Sequence, residues 1–269
     1  MLAGLLGPGG ELVDKEEVIA SALAAGEFDG YPASIVIQML DVRDIKRPTA
    51  SQLASQTWRR MVLERLVKYY AWGSSLIPLV RGTLVHNGLE AVGFPPSEEV
   101  ITELRVTRTV PGTDIILSGQ ADLYFPGRSR LEDYKTCQNI PDMIREAHIL
   151  QLLVYTWLLR WEGYSVTEAV IDYISWNSMR QVWLTELPNG SYGPISSHPW
   201  FEDENAFVEE VRYRYEVLLA GFQDGIVPSM EHCNTSWCYN CPVKWACDQV
   251  APSGGTIRMG ELDQHDYSS

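Results

Sequence analysis

The spacing of apolar residues divides most of the chain into helices and strands. Over RPTASQLASQTWRRMVLERLVKYYAWG (47–73), apolar positions at Leu53, Met61, Leu63, Leu66 and Val67 predict a helix capped by Thr49 or Ser51. PLVRGTLVHNGLEAVGF predicts a second helix, on which Gly82, His86 and Glu90 share a face. Three strand-like runs follow, ITELRVTRTV, DIILSGQADLYF and RLEDYKTC, separated by the turn sequences PGTD and PGRS; they read as an antiparallel meander. Residues 142–162 predict a strong helix stopped by Gly163. AVIDYISW and QVWLTEL read as another strand pair, and ENAFVEEVRYRYEVLLAGFQDG as an amphipathic helix. Before residue 45, DKEEVIASALAAG is helix-like and FDGYPAS turn-like. The final stretch, 251–269, is polar and expected to be a mobile tail. Helices and strands interleaved in this way place the chain in the α/β class.

Composition narrows the setting. The 269 residues are 45% hydrophobic and 21% charged, ordinary for a soluble globular protein. No apolar run has the length to span a bilayer, and the opening MLAGLLGPGGELVDKEE lacks a basic n-region and a true h-region, so no membrane association and a cytoplasmic location are expected. The net charge of -14 counts mildly against a nucleic-acid binder, because phosphate contacts need Lys and Arg. Locally the balance reverses. From Asp44 to Lys68 the chain carries Lys46, Arg47, Arg59, Arg60, Arg65 and Lys68 against Asp44 and Glu64. That segment is either a solvated helix face or a surface for a nucleic-acid backbone.

The chemistry concentrates in 119–136, GQADLYFPGRSRLEDYKT. Residues i and i+2 of a strand face the same way, so Asp133 and Lys135 project together, and a hairpin can bring Asp122 beside them. Two carboxylates and an ammonium at one place form either a surface ion-pair group or a site for a hard cation such as Mg²⁺. Glu132 alternates to the opposite face and is left out of the site. On the helix after these strands, Gln151 and Tyr155 are i, i+4 neighbours.

Taken in order, these pieces resemble the PD-(D/E)XK nuclease superfamily, in particular its RecB-like exonuclease branch. The resemblance covers about residues 82–247. RGTLVHNGLE is similar to the first motif, GQADLYF to the GxxD element, EDYKT to the DxK element and QLLVY to the QxxxY motif. Each piece is weak alone; their order and spacing are specific. The resemblance implies a restriction-endonuclease-like core, a central mixed sheet flanked by helices, over 81–228. Before it would come a helical N-terminal region at 1–80, and after it a cysteine segment at 229–250. It implies Mg²⁺ or Mn²⁺ held by Asp122 and Asp133, with His86, Glu103 and the backbone carbonyl of Tyr134 completing the shell. Lys135 would orient or deprotonate the attacking water, and Gln151 and Tyr155 would hydrogen-bond near the scissile phosphate or brace the ligands. The implied activity is DNA phosphodiester hydrolysis, as an exonuclease on single strands or duplex ends in recombination, repair or phage DNA metabolism. Protein partners from a recombination or replication complex would be compatible with it. Arg59, Arg60, Arg65 and Lys68 are the expected DNA-backbone contacts. Two alternatives stay open: a catalytically silent binding or assembly module with the same fold, which suits the acidic charge, and an endonuclease active within a larger complex.

Four of the five cysteines, Cys233, Cys238, Cys241 and Cys247, fall within fifteen residues, which in a cytoplasmic protein suggests a metal more than disulfides. The C-x2-C-x5-C spacing of Cys238, Cys241 and Cys247 resembles the C-terminal element of iron–sulfur nucleases such as AddB-type and CRISPR-associated exonucleases, and implies a [4Fe–4S] cluster, with Zn²⁺ as the alternative. Those relatives take a fourth ligand from well upstream. No cysteine precedes Cys137 here, so Cys233 is the expected fourth ligand. Trp237, Tyr239 and Trp245 would pack over the centre. Cys137 is expected to be a buried small hydrophobe.

Overall fold

The computed structural model describes all residues except 42–46, 92–98, 143, 185–197, 235–237, 239–240 and 263–269, and the side chain of Glu90. Two compact units emerge. One comprises Met1–Arg47, Gln56–Arg81 and Val217–Ser269; the other comprises Pro48–Ser55 and Gly82–Glu216.

The first unit opens with β1 (Leu2–Leu6), β2 (Leu12–Asp14) and α1 (Lys15–Ala25), then the two-residue strands β3 (Glu27–Phe28) and β4 (Tyr31–Pro32) and helix α2 (Ala33–Leu40). Asp29 and Gly30 both have positive φ between β3 and β4, the geometry a tight hairpin turn demands. Leu5, Val18, Ala22, Val36 and Leu40 form the small core here.

The long helix expected over 47–73 is instead three elements: α3 (Ala50–Ala54), α4 (Trp58–Leu66) and β5 (Tyr69–Trp72). Thr49 does cap α3, through a reciprocal capping box with Gln52. Helical pairing then stops, and further along the Gln56 carbonyl accepts the Asn234 N–H while Thr57 bridges Cys233. β5 is drawn into parallel pairing with β1, whose antiparallel partner is β2. The N-terminal region is therefore mixed, not helical, because backbone partners distant in sequence outweigh local propensity.

α5 (Gly73–Glu90) follows, then the sheet of the second unit: β6 (Ile101–Thr109), β7 (Ile116–Phe125), β8 (Arg130–Thr136), helix α6 (Glu146–Glu162), β9 (Glu168–Ile174) and β10 (Met179–Trp183). The order is β10-β9-β8-β7-β6. β6, β7 and β8 form the expected antiparallel meander, and β9 pairs antiparallel with β10. β8 and β9 pair in parallel, which requires a crossover, and α6 supplies it. Every residue from Leu152 to Leu159 on α6 is buried, as suits a helix covered on all sides. The mixed sheet with flanking helices is the expected α/β core.

α7 (Glu204–Asp224), β11 (Ile226–Val227), the short helix α8 (Lys244–Cys247) and β12 (Gly255–Thr256) complete the chain. β12 pairs with β11 and Ile257 is buried, so residues 251–262 are part of the folded unit and not a mobile tail. Among the described residues, no helix is long and apolar enough to cross a membrane.

Candidate active site and cysteine centre

β7 and β8 pair over Leu123↔Glu132, Tyr124↔Leu131 and Phe125↔Arg130, and pairing ends there. Beyond that point the Asp122 carboxylate accepts the Tyr134 N–H at 2.7 Å, a bond the ladder would otherwise make. Asp122 therefore sits in the opening between the two strands. His86, from α5, places Nδ1 3.3 Å from Asp122 Oδ1. That hydrogen bond raises the His86 pKa above its ordinary value, against the opposing effect of burial.

Glu103 joins them. Its φ of 50° lies in the left-handed region, and the β6–β7 ladder skips it, pairing Thr102↔Leu123 and Leu104↔Ala121 on either side. A non-glycine residue held this way is strained by about 1–3 kcal/mol, and such strain clusters at functional sites. Gln120 donates to the Glu103 carboxylate and itself accepts from Arg105. One ligand atom each from His86, Glu103 and Asp122 fall within 4.8 Å of one another.

Asp133 is 1% exposed and lies outside that three-residue set. Its Oδ2 pairs with Lys135, and its Oδ1 is 3.5 Å from Gln151 Nε2. Burial pushes the Asp133 carboxyl up to about 6, opposed by Lys135 and reinforced by Asp122. Gln151 also donates to the Tyr155 hydroxyl at 2.7 Å. Burial shifts the Tyr155 pKa upward, so the phenol stays protonated. Gly119 makes this helix position accessible: a Cβ there would stand 2.9 Å from the Tyr155 ring and from Leu158 Cδ1.

Thus the structure brings His86, Glu103 and Asp122 together and links Asp133, Lys135, Gln151 and Tyr155 in a chain of contacts. The sequence reading passed over Gln120 and Arg105, which hold Glu103. It also passed over His148 and Tyr173, whose Nδ1 and hydroxyl are 2.9 Å apart. Tyr173 is in register with Lys135, and His148 lies three residues before Gln151. Glu132 is buried beside Arg130 and in register with Val170, away from the site, as alternation requires.

The four expected DNA contacts fare differently. Arg59 is a correction: it is 0% exposed, and its guanidinium is fully occupied inside the first unit, so it cannot meet a nucleic-acid backbone. Arg60 pairs with Glu64 at 2.7 Å, and Arg65 lies over the Phe222 ring at 5.0 Å. Lys68 is exposed.

Cys233, Cys238, Cys241 and Cys247 line one cavity of about 350 Å³ in the first unit. Among the described residues no three cysteine sulfurs close to within 4.8 Å of one another. Burial pushes the Cys241 thiol up to about 11 and raises that of Cys233. Cys137 belongs to the second unit, where it is buried on the Ile174 carbonyl. Trp237 and Tyr239 lie outside the described residues, as does the Glu90 side chain.

Comparisons with known proteins agree with this geometry. A profile of the PD-(D/E)XK nuclease superfamily matches residues 37–248, and the chain belongs to that superfamily. Its class is thereby that of the divalent-metal nucleases, which hydrolyse phosphodiesters. The crystal structure of SSO0001 is similar in fold, with a TM-score of 0.51 and 17% sequence identity over 88% of this chain and 96% of that one. No curated protein matches the chain.

Proposed function

We propose that the chain is a divalent-metal-dependent DNA exonuclease whose C-terminal cysteines hold a [4Fe–4S] cluster. The observation that carries the nuclease reading is the convergence of His86, Glu103 and Asp122 within 4.8 Å, next to the buried Asp133–Lys135 pair. These donors suit Mg²⁺ or Mn²⁺: the oxygens are hard, and one imidazole is compatible with Mn²⁺. Asp133 and the Tyr134 carbonyl would complete the shell. A divalent ion bound there supplies Lewis-acid polarisation of the phosphoryl oxygens.

The chain's own groups do the rest. Lys135, held by Asp133, orients the attacking water and offsets charge that builds on the phosphate. Gln151 is fixed by Tyr155 and steadies Asp133 through Oδ1. Gln120 holds Glu103 in its strained conformation. Lys68, Arg60 and Arg65 remain for contact with the DNA backbone.

For the cysteines, the cavity supports a cluster over a lone zinc ion. Zinc holds thiolates at about 2.3 Å, so tetrahedral sulfurs would stand roughly 3.8 Å apart. Among the described residues no three of these sulfurs lie within 4.8 Å of one another, which a tetrahedral zinc site would require and a larger four-thiolate centre would not.

The test is a nuclease assay with Mg²⁺ and with Mn²⁺ on end-labelled linear DNA and on circular DNA. Wild type should degrade the linear form from an end and spare the circle, and Asp133→Ala should abolish the activity. Cutting of the circle would replace the exonuclease reading by an endonuclease. Wild type no more active than Asp133→Ala on either substrate would reject the enzyme.

A further inference from the structure

Among the described residues, the buried Arg59 side chain has no carboxylate as a guanidinium hydrogen-bond partner. Nη1 donates to the carbonyls of Pro228 (2.8 Å) and Ala251 (3.2 Å), and Nη2 to those of Cys247 (3.2 Å) and Val250 (2.9 Å). Nε donates to Cys247 Sγ at 3.1 Å. All five N–H donors are thereby accounted for. A permanently charged guanidinium enclosed by neutral carbonyls is strongly unfavourable unless a negative charge faces it. Of its five contacts, Cys247 Sγ alone would carry that charge, as a ligand of the proposed cluster.

Neighbouring contacts point the same way. The backbone N–H of Arg60, in the first turn of α4, faces the Cys233 sulfur, and that of Val243 faces Cys241. First-turn N–H groups lack helical partners, so the start of α4 is suited to meet an anionic sulfur. Thr57 and Gln56, just before α4, are tied to Cys233 and Asn234 through the backbone, and Trp58 stacks on His232 at 4.8 Å.

We infer that Arg59 is the positioning residue of the cysteine centre: its Nε–H bond to Cys247 sets the reduction potential of the bound cluster and holds it in place. This rests on the iron–sulfur reading given above. A cationic donor on a ligand sulfur stabilises the more negative, reduced state of a cluster and so raises its potential. The same guanidinium gathers the carbonyls of Pro228, Cys247, Val250 and Ala251, which ties both ends of the cysteine segment to α4. Arg59 thus serves the metal centre from within the element expected to meet DNA.

The experiment compares wild type, Arg59→Lys and Arg59→Met, prepared anaerobically, by iron and sulfide content, redox titration and rate of iron release to a chelator. Arg59→Met should have a lower midpoint potential and release iron at least tenfold faster. Arg59→Lys, which keeps the charge but not the planar fork, should fall between. Three preparations with clusters of equal potential and equal release rate would overturn the role of Arg59 and leave the cluster standing. Wild type without iron and sulfide would overturn both. Should the variants not fold, wild type labelled with ¹⁵N at arginine Nε decides the matter: pulsed EPR of the reduced cluster should show a ¹⁵N coupling, and its absence removes the proposed bond.

Discussion

Asp122 accepts the Tyr134 N–H at 2.7 Å, at the place where β7 and β8 part. One carboxylate thereby closes a gap in the sheet and stands beside His86. The two roles can be separated. Asp122→Asn keeps an acceptor for Tyr134 and should melt close to wild type. Asp122→Ala leaves the N–H unpaired and should lose about 1 kcal/mol more. Both should lose at least about 100-fold in nuclease activity, since the proposed metal contributes several kcal/mol to the transition state. Paired thermal melts and nuclease assays check this; an active Asp122→Asn would remove Asp122 from the metal shell.

Gly119 is demanded by packing against α6. A Cβ would meet the Tyr155 ring and Leu158 at 2.9 Å. Gly119→Ala should destabilise by about 1–3 kcal/mol, the usual range for overpacking, and should reduce activity by displacing Gln151. Urea denaturation beside a nuclease assay measures both effects.

Tyr155 acts on Gln151, 2.7 Å away. Tyr155→Phe keeps the ring and removes one hydrogen bond, a loss of about 1 kcal/mol, or about fivefold in rate. The decrease should fall on kcat with KM little changed. An unaltered kcat would assign Tyr155 to packing alone.

His148 supplies a pH dependence. Burial lowers its pKa from the ordinary value to about 3. The unfolded chain, with histidine near 6.5, then binds a proton that the folded chain refuses. Stability should be full above about pH 6.5 and should fall as the pH drops toward 3, by ~2 kcal/mol at pH 5. His148→Gln should flatten this slope in urea midpoints measured between pH 7 and pH 5. A slope identical to wild type would show that other groups carry it.

The cysteines should divide by unit. Cys241→Ser should lose the visible absorbance expected of an iron–sulfur protein, and Cys137→Ala, buried on the Ile174 carbonyl, should retain it. Spectra and iron content of anaerobic preparations decide; loss of colour in Cys137→Ala with its fold intact would bring that residue into the centre.

The core of the second unit was legible because local signals agreed there. The runs around Asp122 and Asp133 alternate, turns separate them, and α6 is apolar through most of its length. Alternation alone removed Glu132 from the site. The first unit was not legible. The 47–73 run has helical spacing, yet Thr57 pairs with Cys233, and Tyr69–Trp72 pair with β1. Those partners lie more than 60 residues away, and no local pattern records them. Arg59 shows the same limit: basic residues on a helix read as a solvated face, and nothing near Arg59 announces four carbonyls and a thiol.

By itself the sequence determined the meander, its acidic and basic residues, the helix bearing Gln151 and Tyr155, the grouping of four cysteines and, through its profile, the superfamily. Each follows from short-range periodicity or from the identity and order of residues. Tertiary structure alone decided the parallel pairing of β8 with β9, the opening that Asp122 fills, the left-handed Glu103 beside His86 and the burial of Arg59 on Cys247. These depend on which distant backbone and side-chain groups satisfy one another, and that balance is struck only when the whole chain has packed.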